Sequence, residues 1–360
     1  MRSEMIGKPL EGFVEYVRAA AAEGAVLLKN EGGVLPLKKG ERIAVFGRTQ
    51  TDFYRSGTGS GGSVNVEYTT NLLDGLRDGG VVQVDEELAA VYAAWLEEHP
   101  FDDGGGIWAG EPWNQQEMAV SQELVRAAAQ RADKALIVIG RTAGEDRDYQ
   151  AAEGSYLLTR QEGDMIRKVT DCFEKTAVVM NVSNIIDMSW LEEDYAHPVS
   201  GVIYVWQGGI EGGNAAADVL TGKVTPSGKL TDTIAWKLED YPSHANYGSS
   251  RKNVHQEDIY VGYRYFETFC PEKVQFPFGY GLSYTSFRVR PLGAVCRDKK
   301  LSVTVEVENT GTEYSGREVV QVYVEAPQGQ LGRPRRELAG FAKTPLLAPG
   351  ESAEMTVEFP

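Results

Sequence analysis

Cysteine, histidine and long apolar runs are all scarce in this 360-residue sequence. No two of the three cysteines form a CxxC pair, so neither a zinc site nor a disulfide framework is indicated. We expect Cys172, Cys270 and Cys296 to be buried or half-buried free thiols in a reducing compartment. The four histidines show no HExxH or paired spacing, which predicts no metal site. The sequence has no apolar run of about 18 residues and no apolar signal-peptide core at its start, so we expect a cytoplasmic protein without a membrane partner.

Basic charge is also scarce. Lys and Arg number 36 against 52 Asp and Glu, for a net charge of −16. Nucleic-acid binding needs clustered basic residues, and the only dense cluster, Arg333 with Arg335 and Arg336, is better interpreted as a solvated turn. The acidic balance argues against a nucleic-acid partner and suits a neutral substrate such as a sugar.

Short apolar runs alternate with helical patterns over residues 1–236. An Ala-rich helix within 11–30 leads into a short apolar segment, and four further runs are typical of buried parallel strands. This alternation predicts a layered α/β sandwich with a mostly parallel sheet. The predicted strands are 43–47, 135–140, 177–182 and 202–208, and the predicted helices are 69–78, 85–98, 117–132, 160–174 and 211–221.

The remaining sequence divides into two parts. Residues 237–290, rich in Tyr, Gly and Pro, are predicted to be an irregular connection packed on the sandwich. Residues 291–360 alternate with period two over 301–308 and carry further strand patterns at 318–324, 337–343 and 353–359. They predict a fibronectin III-like β-sandwich, which is incomplete because its last strand runs into the chain end.

A glycine-rich loop, Ser56–Gly62, follows the first predicted strand. It contains GxGxxG at Gly57, Gly59 and Gly62. A dinucleotide site requires this motif between the end of a strand and the start of a helix, and neither adjoins the loop here. The loop is therefore either a ligand loop at the end of a strand or a plain connection.

An acidic loop follows the strand that ends at Gly140. It holds Glu145, Asp146 and Asp148, with Glu153 further on. Crowded carboxylates raise one another's pKa, and a carboxyl with a raised pKa can act as a general acid. On chemistry alone, a solvated acidic loop explains the pattern equally well.

Three further stretches, Glu211–Gly222, Pro226–Leu230 and Phe276–Phe287, complete the pattern. Alone they indicate tight turns and a packed corner. Together with the strands after residue 300, the sequence resembles glycoside hydrolase family 3 over nearly its whole length. The resemblance implies a retaining mechanism with two carboxyl groups.

The resemblance also implies where those carboxyls lie. The stretch Gly144–Arg147 makes Glu145 the acid/base candidate, with Asp146 or Glu153 as alternatives. Ser60 and Gly59 become candidate sugar contacts. The nucleophile is expected on a catalytic (β/α)8 barrel downstream of residue 360, as in the subgroup with swapped domain order, so we expect this chain alone to be inactive.

The function predicted from this resemblance is part of a β-glucosidase that hydrolyses β-linked oligosaccharides or aryl glycosides from the non-reducing end. No cofactor is implied, and a homodimer is a possible assembly. The alternatives are β-xylosidase or arabinosidase specificity, a non-catalytic carbohydrate-binding or assembly module, and a dinucleotide-binding enzyme, against which the placement of GxGxxG argues.

Overall fold

The computed structural model describes residues 8–62, 64–248, 251–252 and 254–360, and the chain forms two compact units. The sandwich unit consists of Met1–Ile186 and Trp190–Pro226, and the β-rich unit consists of Asp187–Ser189 and Ser227–Pro360. All candidate site residues belong to the sandwich unit. The domain limits drawn from the sequence stay a prediction.

A six-stranded sheet lies at the centre of the sandwich unit. The strand order is β1, β6, β5, β4, β2, β3, and every neighbouring pair is parallel except β1 with β6. Every residue of β4 and β5 is buried, which explains their nearly continuous apolar sequences. The predicted α/β sandwich is confirmed. The strands are β1 (Val26–Asn30), β2 (Arg42–Phe46), β3 (Gln83–Val84), β4 (Lys134–Arg141), β5 (Thr176–Val182) and β6 (Gly201–Tyr204).

The helices of the sandwich unit pack in two groups. Contacts join α1 and α2 to α6, and α3 and α5 to α4. Among the described residues, four of these helices are preceded by a residue whose side chain accepts a backbone N–H of the first turn. Ser121 has this role for α4, which therefore begins at Gln122 and not at the predicted residue 117. The helices are α1 (Phe13–Gly24), α2 (Leu72–Gly79), α3 (Glu86–Glu98), α4 (Gln122–Arg131), α5 (Arg160–Cys172) and α6 (Gly212–Leu220).

Glu117, in the segment before α4, is a buried carboxylate. Its oxygens accept the backbone N–H groups of Arg48 and Met118, and the residue is 7% exposed. Burial raises the pKa of Glu117 from 4.5 to about 7, although these hydrogen bonds oppose the shift. Ionised Glu117 therefore destabilises the folded state relative to the solvated unfolded chain.

Glu117→Gln is expected to reduce the pH dependence of the free energy of unfolding. Because the folded-state pKa lies above the unfolded value of 4.5, Glu117 destabilises the fold increasingly as the pH rises from 4.5 to about 7. The full penalty above that range is about 3 kcal/mol, and glutamine, which stays neutral, removes it. Urea unfolding of both proteins at about pH 5 and about pH 8 measures the difference, with the exposed Glu97→Gln as control. An equal pH dependence in wild type and Glu117→Gln would contradict the prediction.

The β-rich unit contains three antiparallel sheets among its described residues. They pair β13 with β10 and β10 with β9, β11 with β12, and β7 with β8. A small apolar core joins residues of β10, β11 and β13 around Val307, which is fully buried. The strands are β7 (Ile234–Ala235), β8 (Val274–Phe276), β9 (Phe287–Arg297), β10 (Lys300–Asn309), β11 (Val319–Val324), β12 (Glu337–Lys343) and β13 (Ser352–Phe359).

The segment predicted to be irregular contains a helix, α7 (Tyr263–Phe269). Phe266 of this helix is buried with Ala235 and Cys270. A helix of seven residues is too short to show a helical period, which explains why the sequence pattern does not reveal it.

The three cysteines are free thiols in different environments. Cys270 is buried and Cys172 half-buried, as expected, but Cys296 is exposed, so that prediction is wrong for one residue. Cys296 lies on β9, which pairs only with β10 in the described structure and is exposed along most of its length. Among the described residues, no helix combines the length and apolar character that crossing a bilayer requires.

Candidate active site

Two loops at one edge of the central sheet carry the candidate site. One follows β2 and the other follows β4, and because these strands are parallel neighbours, their carboxyl ends lie side by side. The loops run alongside each other: Thr58 pairs with Gly144 as an isolated parallel bridge, and the Thr58 N–H donates to the Ala143 carbonyl at 3.0 Å.

The glycines of these loops allow their backbones to meet. A Cβ on Gly57 would lie 2.4 Å from the Ala143 carbonyl oxygen, and one on Gly144 would lie 2.3 Å from the Thr58 carbonyl oxygen. No side chain fits at such separations. Because the next helix, α2, begins only at Leu72, the GxGxxG pattern reflects loop packing and not a dinucleotide site.

Asn181, near the end of β5, anchors the chain that leads into the glycine-rich loop. Its side chain accepts the Tyr54 N–H at 2.7 Å and donates to the carbonyls of Tyr54 at 3.0 Å and Trp206 at 2.6 Å. Asn181 is fully buried, so these bonds are shielded from water. They fix the loop after β2 relative to the neighbouring strands.

The structure brings Glu145, Ser60 and Gly59 together. Glu145 is exposed at the tip of the acidic loop, and its Oε2 accepts hydrogen bonds from Ser60 Oγ at 2.7 Å and Ser60 N at 3.3 Å. Gly59 has φ +83°, and a Cβ there would lie 2.6 Å from Glu145 Cβ. The glycine-rich loop therefore holds this carboxylate by direct contact.

Gly59→Ala is expected to destabilise the sandwich unit and to displace the Glu145 side chain. The positive φ costs an alanine about 1 kcal/mol, and the clash with Glu145 adds to it. Denaturant unfolding and a crystal structure of the variant measure the two effects.

Gly61→Ala is the matched control for this substitution. Gly61 lies two residues further along the same loop, and a Cβ there meets nothing within 4 Å. We expect it to change stability little and to leave the Ser60–Glu145 hydrogen bond in place. Equal effects of the two substitutions would show that contact with Glu145 is not what Gly59 provides.

The alternative carboxylates have other partners. Asp146, with φ +60°, accepts a hydrogen bond from Trp108 Nε1 at 2.8 Å. Glu153 accepts the backbone N–H of Arg160 at 3.3 Å, at the beginning of α5. The predicted acidic cluster is thus spread over separate contacts, and only Glu145 contacts the glycine-rich loop through its carboxylate in the described hydrogen bonds.

The segment 101–113, which was not selected from the sequence, supports the acidic loop. Besides the Trp108–Asp146 bond, the Trp113 carbonyl accepts the Thr142 N–H at 2.7 Å. The Arg147 guanidinium lies over the Trp113 ring, 4.4 Å from its centroid. These contacts brace both sides of Glu145. In the sequence this segment is rich in Gly and Trp, but no predicted strand adjoins it, so its pattern did not indicate a site.

A cavity of about 780 Å³ opens between segment 101–113 and the glycine-rich loop. This volume is in the range of small-molecule sites. Glu111 lines it, and burial together with nearby Asp103 raises the Glu111 pKa from 4.5 to about 7, against the opposing effect of Arg55. The wall consists of residues 53–59 and Gly62 with Thr69, Phe101, Asp103 and 106–111.

Metal binding has no support in the described structure. No group of three or more His, Cys, Asp or Glu side chains there is arranged to hold an ion. The chemistry that this site offers is that of carboxyl groups beside hydroxyl and aromatic side chains.

Comparison with known proteins relates this arrangement to a family. Residues 25–284 match the glycosyl hydrolase family 3 C-terminal domain, and residues 318–360 match a fibronectin type III-like domain. The chain is 49% identical to a β-glucosidase of Ruminococcus albus over 347 residues, which are 96% of this chain and 36% of that protein.

Solved structures show the same similarity. A β-glucosidase from Paenibacillus barengoltzii superposes with a TM-score of 0.97 at 58% identity, over 99% of this chain and 39% of that one. β-Glucosidase 3B from Thermotoga neapolitana, solved with α-D-glucose, gives 0.89 at 37% identity, over 98% and 49%. The chain belongs to glycoside hydrolase family 3. It spans less than half the length of each of these relatives.

Proposed function

We propose that this chain provides the acid/base carboxyl, Glu145, of a retaining β-glucosidase. The observation that carries the proposal is the hydrogen-bonded contact of Glu145 with Ser60, which joins the two loops at the carboxyl edge of the sheet. The names of the relatives support the β-glucoside as substrate.

The geometry suits two successive proton transfers. Protonated Glu145 gives its proton to the glycosidic oxygen as the bond from that oxygen to the anomeric carbon breaks and a nucleophilic carboxylate attacks the same carbon. The Glu145 carboxylate then takes a proton from the water that cleaves the glycosyl intermediate. Both Ser60 donors reach Oε2, so we assign the transferred proton to Oε1.

The nucleophile is not assigned to this chain. Consistent with the predicted barrel, the relatives carry more than half of their length outside the matched region. We propose that a catalytic (β/α)8 barrel provides the nucleophile and most of the sugar contacts. The 360-residue chain alone should then not turn over a glycoside.

A chimera tests this proposal. The matching region of the Paenibacillus barengoltzii β-glucosidase is replaced by this chain, which superposes on it almost completely. We expect the chimera, and not the isolated chain, to hydrolyse an aryl β-glucoside with retention of anomeric configuration. Aryl β-xyloside and α-arabinofuranoside in parallel assays distinguish the alternative specificities.

The opposite results are equally clear. Turnover by the isolated chain would place both carboxyls within these 360 residues. A chimera that folds, as judged by circular dichroism, and binds glucose without hydrolysing any of the three substrates would favour a non-catalytic carbohydrate-binding module.

A further inference from the structure

We propose that Gln207, on the loop after β6, is a positioning residue for the acid/base carboxyl. Its side chain holds the acidic loop and the glycine-rich loop at the separation at which Ser60 donates to Glu145. The inference deepens the proposed function and rests on it, because a positioning residue acts only through the group that it places.

The loop after β6 contacts both loops of the candidate site. Gln207 Nε2 donates to the Arg141 carbonyl at 3.2 Å, and this carbonyl lies at the end of β4, where the acidic loop begins. Gln207 Oε1 lies 3.7 Å from the position that a Cβ on Gly57 would occupy. The Gly209 N–H donates to the Arg55 carbonyl at 2.9 Å, just before the glycine-rich loop. One short loop thus meets the beginning of each of the two others.

These contacts reach across the sheet. In the strand order β6, β5, β4, β2, the strand before Gln207 is separated from β4 by β5. Parallel neighbours bring their following loops together, but β6 and β4 are not neighbours. The Trp206 carbonyl accepts from Asn181 Nδ2, near the end of β5, at 2.6 Å, so the loop passes over that strand. Strand pairing alone therefore does not account for the contact between Gln207 and Arg141.

The backbone just before Gln207 is strained. Trp206 has φ +53°, a left-handed conformation that a bulky residue seldom adopts. Besides the bond from Asn181, Trp206 Nε1 donates to the Gly24 carbonyl at 3.0 Å, and the indole packs on the Tyr204 ring with centroids 4.9 Å apart. Strain of this kind persists only where surrounding contacts enforce it, and it concentrates at functional sites. Here it places the next side chain, that of Gln207, between the two loops.

The Arg141 carbonyl is a point from which Glu145 can be displaced. Glu145 is only four residues further along the chain, and the residues between them pair with the glycine-rich loop. Loss of the Gln207 hydrogen bond lets the beginning of the acidic loop move, and the Ser60–Glu145 contact loosens with it. Because catalysis is sensitive to small displacements of the reacting groups, proton transfer from Glu145 becomes slower.

Two leaving groups separate positioning from general damage in the chimera. Gln207→Leu removes the hydrogen bond at similar side-chain size, and Gln207→Glu keeps the shape but lacks the N–H donor. We expect either variant to lower kcat/KM for cellobiose about tenfold, because departure of glucose needs the proton from Glu145. For 2,4-dinitrophenyl β-glucoside, kcat/KM should change little, because this leaving group departs without that proton.

The double variant of Gln207→Leu with Glu145→Gln tests whether Gln207 acts through Glu145. With the acid already removed, Gln207→Leu should cause no further loss in kcat/KM for cellobiose. Gln275→Leu is the matched control. Gln275, on β8 of the β-rich unit, is also half-buried, and its Nε2 donates to the Met188 carbonyl at 2.9 Å. This control should leave kcat/KM for both substrates unchanged.

Hydrogen exchange in the 360-residue chain gives a readout that does not depend on catalysis. The Thr58 N–H donates to the Ala143 carbonyl and joins the two loops, so its exchange rate, followed by NMR, reports whether they stay paired. We expect Gln207→Leu and Gln207→Glu to raise this rate about tenfold, and Gln275→Leu to leave it unchanged.

Unchanged Thr58 exchange in both Gln207 variants, equal losses of kcat/KM for the two substrates, or a further loss in the double variant would overturn the inference. Such results with a catalytically impaired Glu145→Gln would reject the positioning role and leave the proposed function standing. Faster Thr58 exchange with a fully active Glu145→Gln would instead reject the role of Glu145, and with it the positioning by Gln207.

Discussion

Glu145→Gln in the chimera is expected to lower kcat/KM for cellobiose by about 10²- to 10⁴-fold. The departing glucose is a poor leaving group, and its oxygen needs the proton that Glu145 carries. Glutamine keeps the length of the side chain, and its oxygen can still accept from Ser60, so the loss reports the proton and not the packing. Initial rates over a range of cellobiose concentrations measure the effect.

The leaving group should decide how severe the defect is. 2,4-Dinitrophenolate departs without a proton, so formation of the glycosyl intermediate from its β-glucoside should survive the substitution. Breakdown of that intermediate should become slow, because no carboxylate remains to deprotonate water. Added azide, an anion that needs no base, should restore turnover and yield β-glucosyl azide.

Asp146→Asn and Glu153→Gln are the matched controls, since both residues were alternatives for the same role. Asp146 binds Trp108 and Glu153 binds the start of α5, so we expect neither variant to show azide rescue. Azide rescue in either variant, with a nearly normal Glu145→Gln, would transfer the acid/base role away from Glu145.

The layered fold could be predicted because its strands have nearly continuous apolar sequences. β4 and β5 are buried along their whole length, and such strands read as short apolar runs between helices. β3, with two residues, and α7, with seven, are too short to produce a periodic pattern. Local sequence therefore predicts the long central elements and does not reveal the short ones.

The candidate site was partly predictable for a topological reason. Ser60 and Glu145 are 85 residues apart, but both follow strands of one parallel sheet, and parallel neighbours bring their following loops together. The position of both loops after strands of one sheet thus indicated that Ser60 and Glu145 lie close together. The resemblance to family 3 added the distinction among Glu145, Asp146 and Glu153.

The cavity was not predictable in the same way. Glu111 and Trp108 lie in a loop that follows no predicted strand, so their sequence position indicates nothing about a site. The raised pKa of Glu111 comes from its burial and from nearby Asp103, and the Trp108 ring is anchored by a hydrogen bond to Asp146. Such properties arise from packing, which a local pattern does not encode.

Glu162→Ala is expected to lower the free energy of unfolding by about 3–5 kcal/mol. Glu162 forms a bidentate ion pair with Arg141, with both nitrogen–oxygen distances 2.6 Å, and the residues are 4% and 0% exposed. Removing the carboxylate leaves the guanidinium charge buried without its counterion. The Glu162 side chain also accepts the Thr159 N–H in the capping box of α5, so the helix start is weakened too. Urea unfolding measures the loss.

Arg167→Ala is the control for an ion pair without burial. Arg167 pairs with Glu193 at the surface, where the two side chains are 51% and 48% exposed. Solvent screens such pairs, so we expect a loss below about 1 kcal/mol. A similar loss from Arg167→Ala and Glu162→Ala would mean that burial does not determine the effect.

The double variant Arg141→Met with Glu162→Leu decides whether charge or structure dominates. If the unpaired charge causes the loss in Glu162→Ala, the double variant should lose less stability than Arg141→Met and Glu162→Leu lose together as single substitutions. Some loss should remain, because Arg141 also donates to the carbonyls of Ser155 and Leu157, which end the acidic loop. Loss of these Arg141 hydrogen bonds should also lower the kcat of the chimera, because the acidic loop that they hold positions Glu145. If the losses in stability are additive and kcat is unchanged, the Arg141–Glu162 ion pair supports α5 and not the acidic loop.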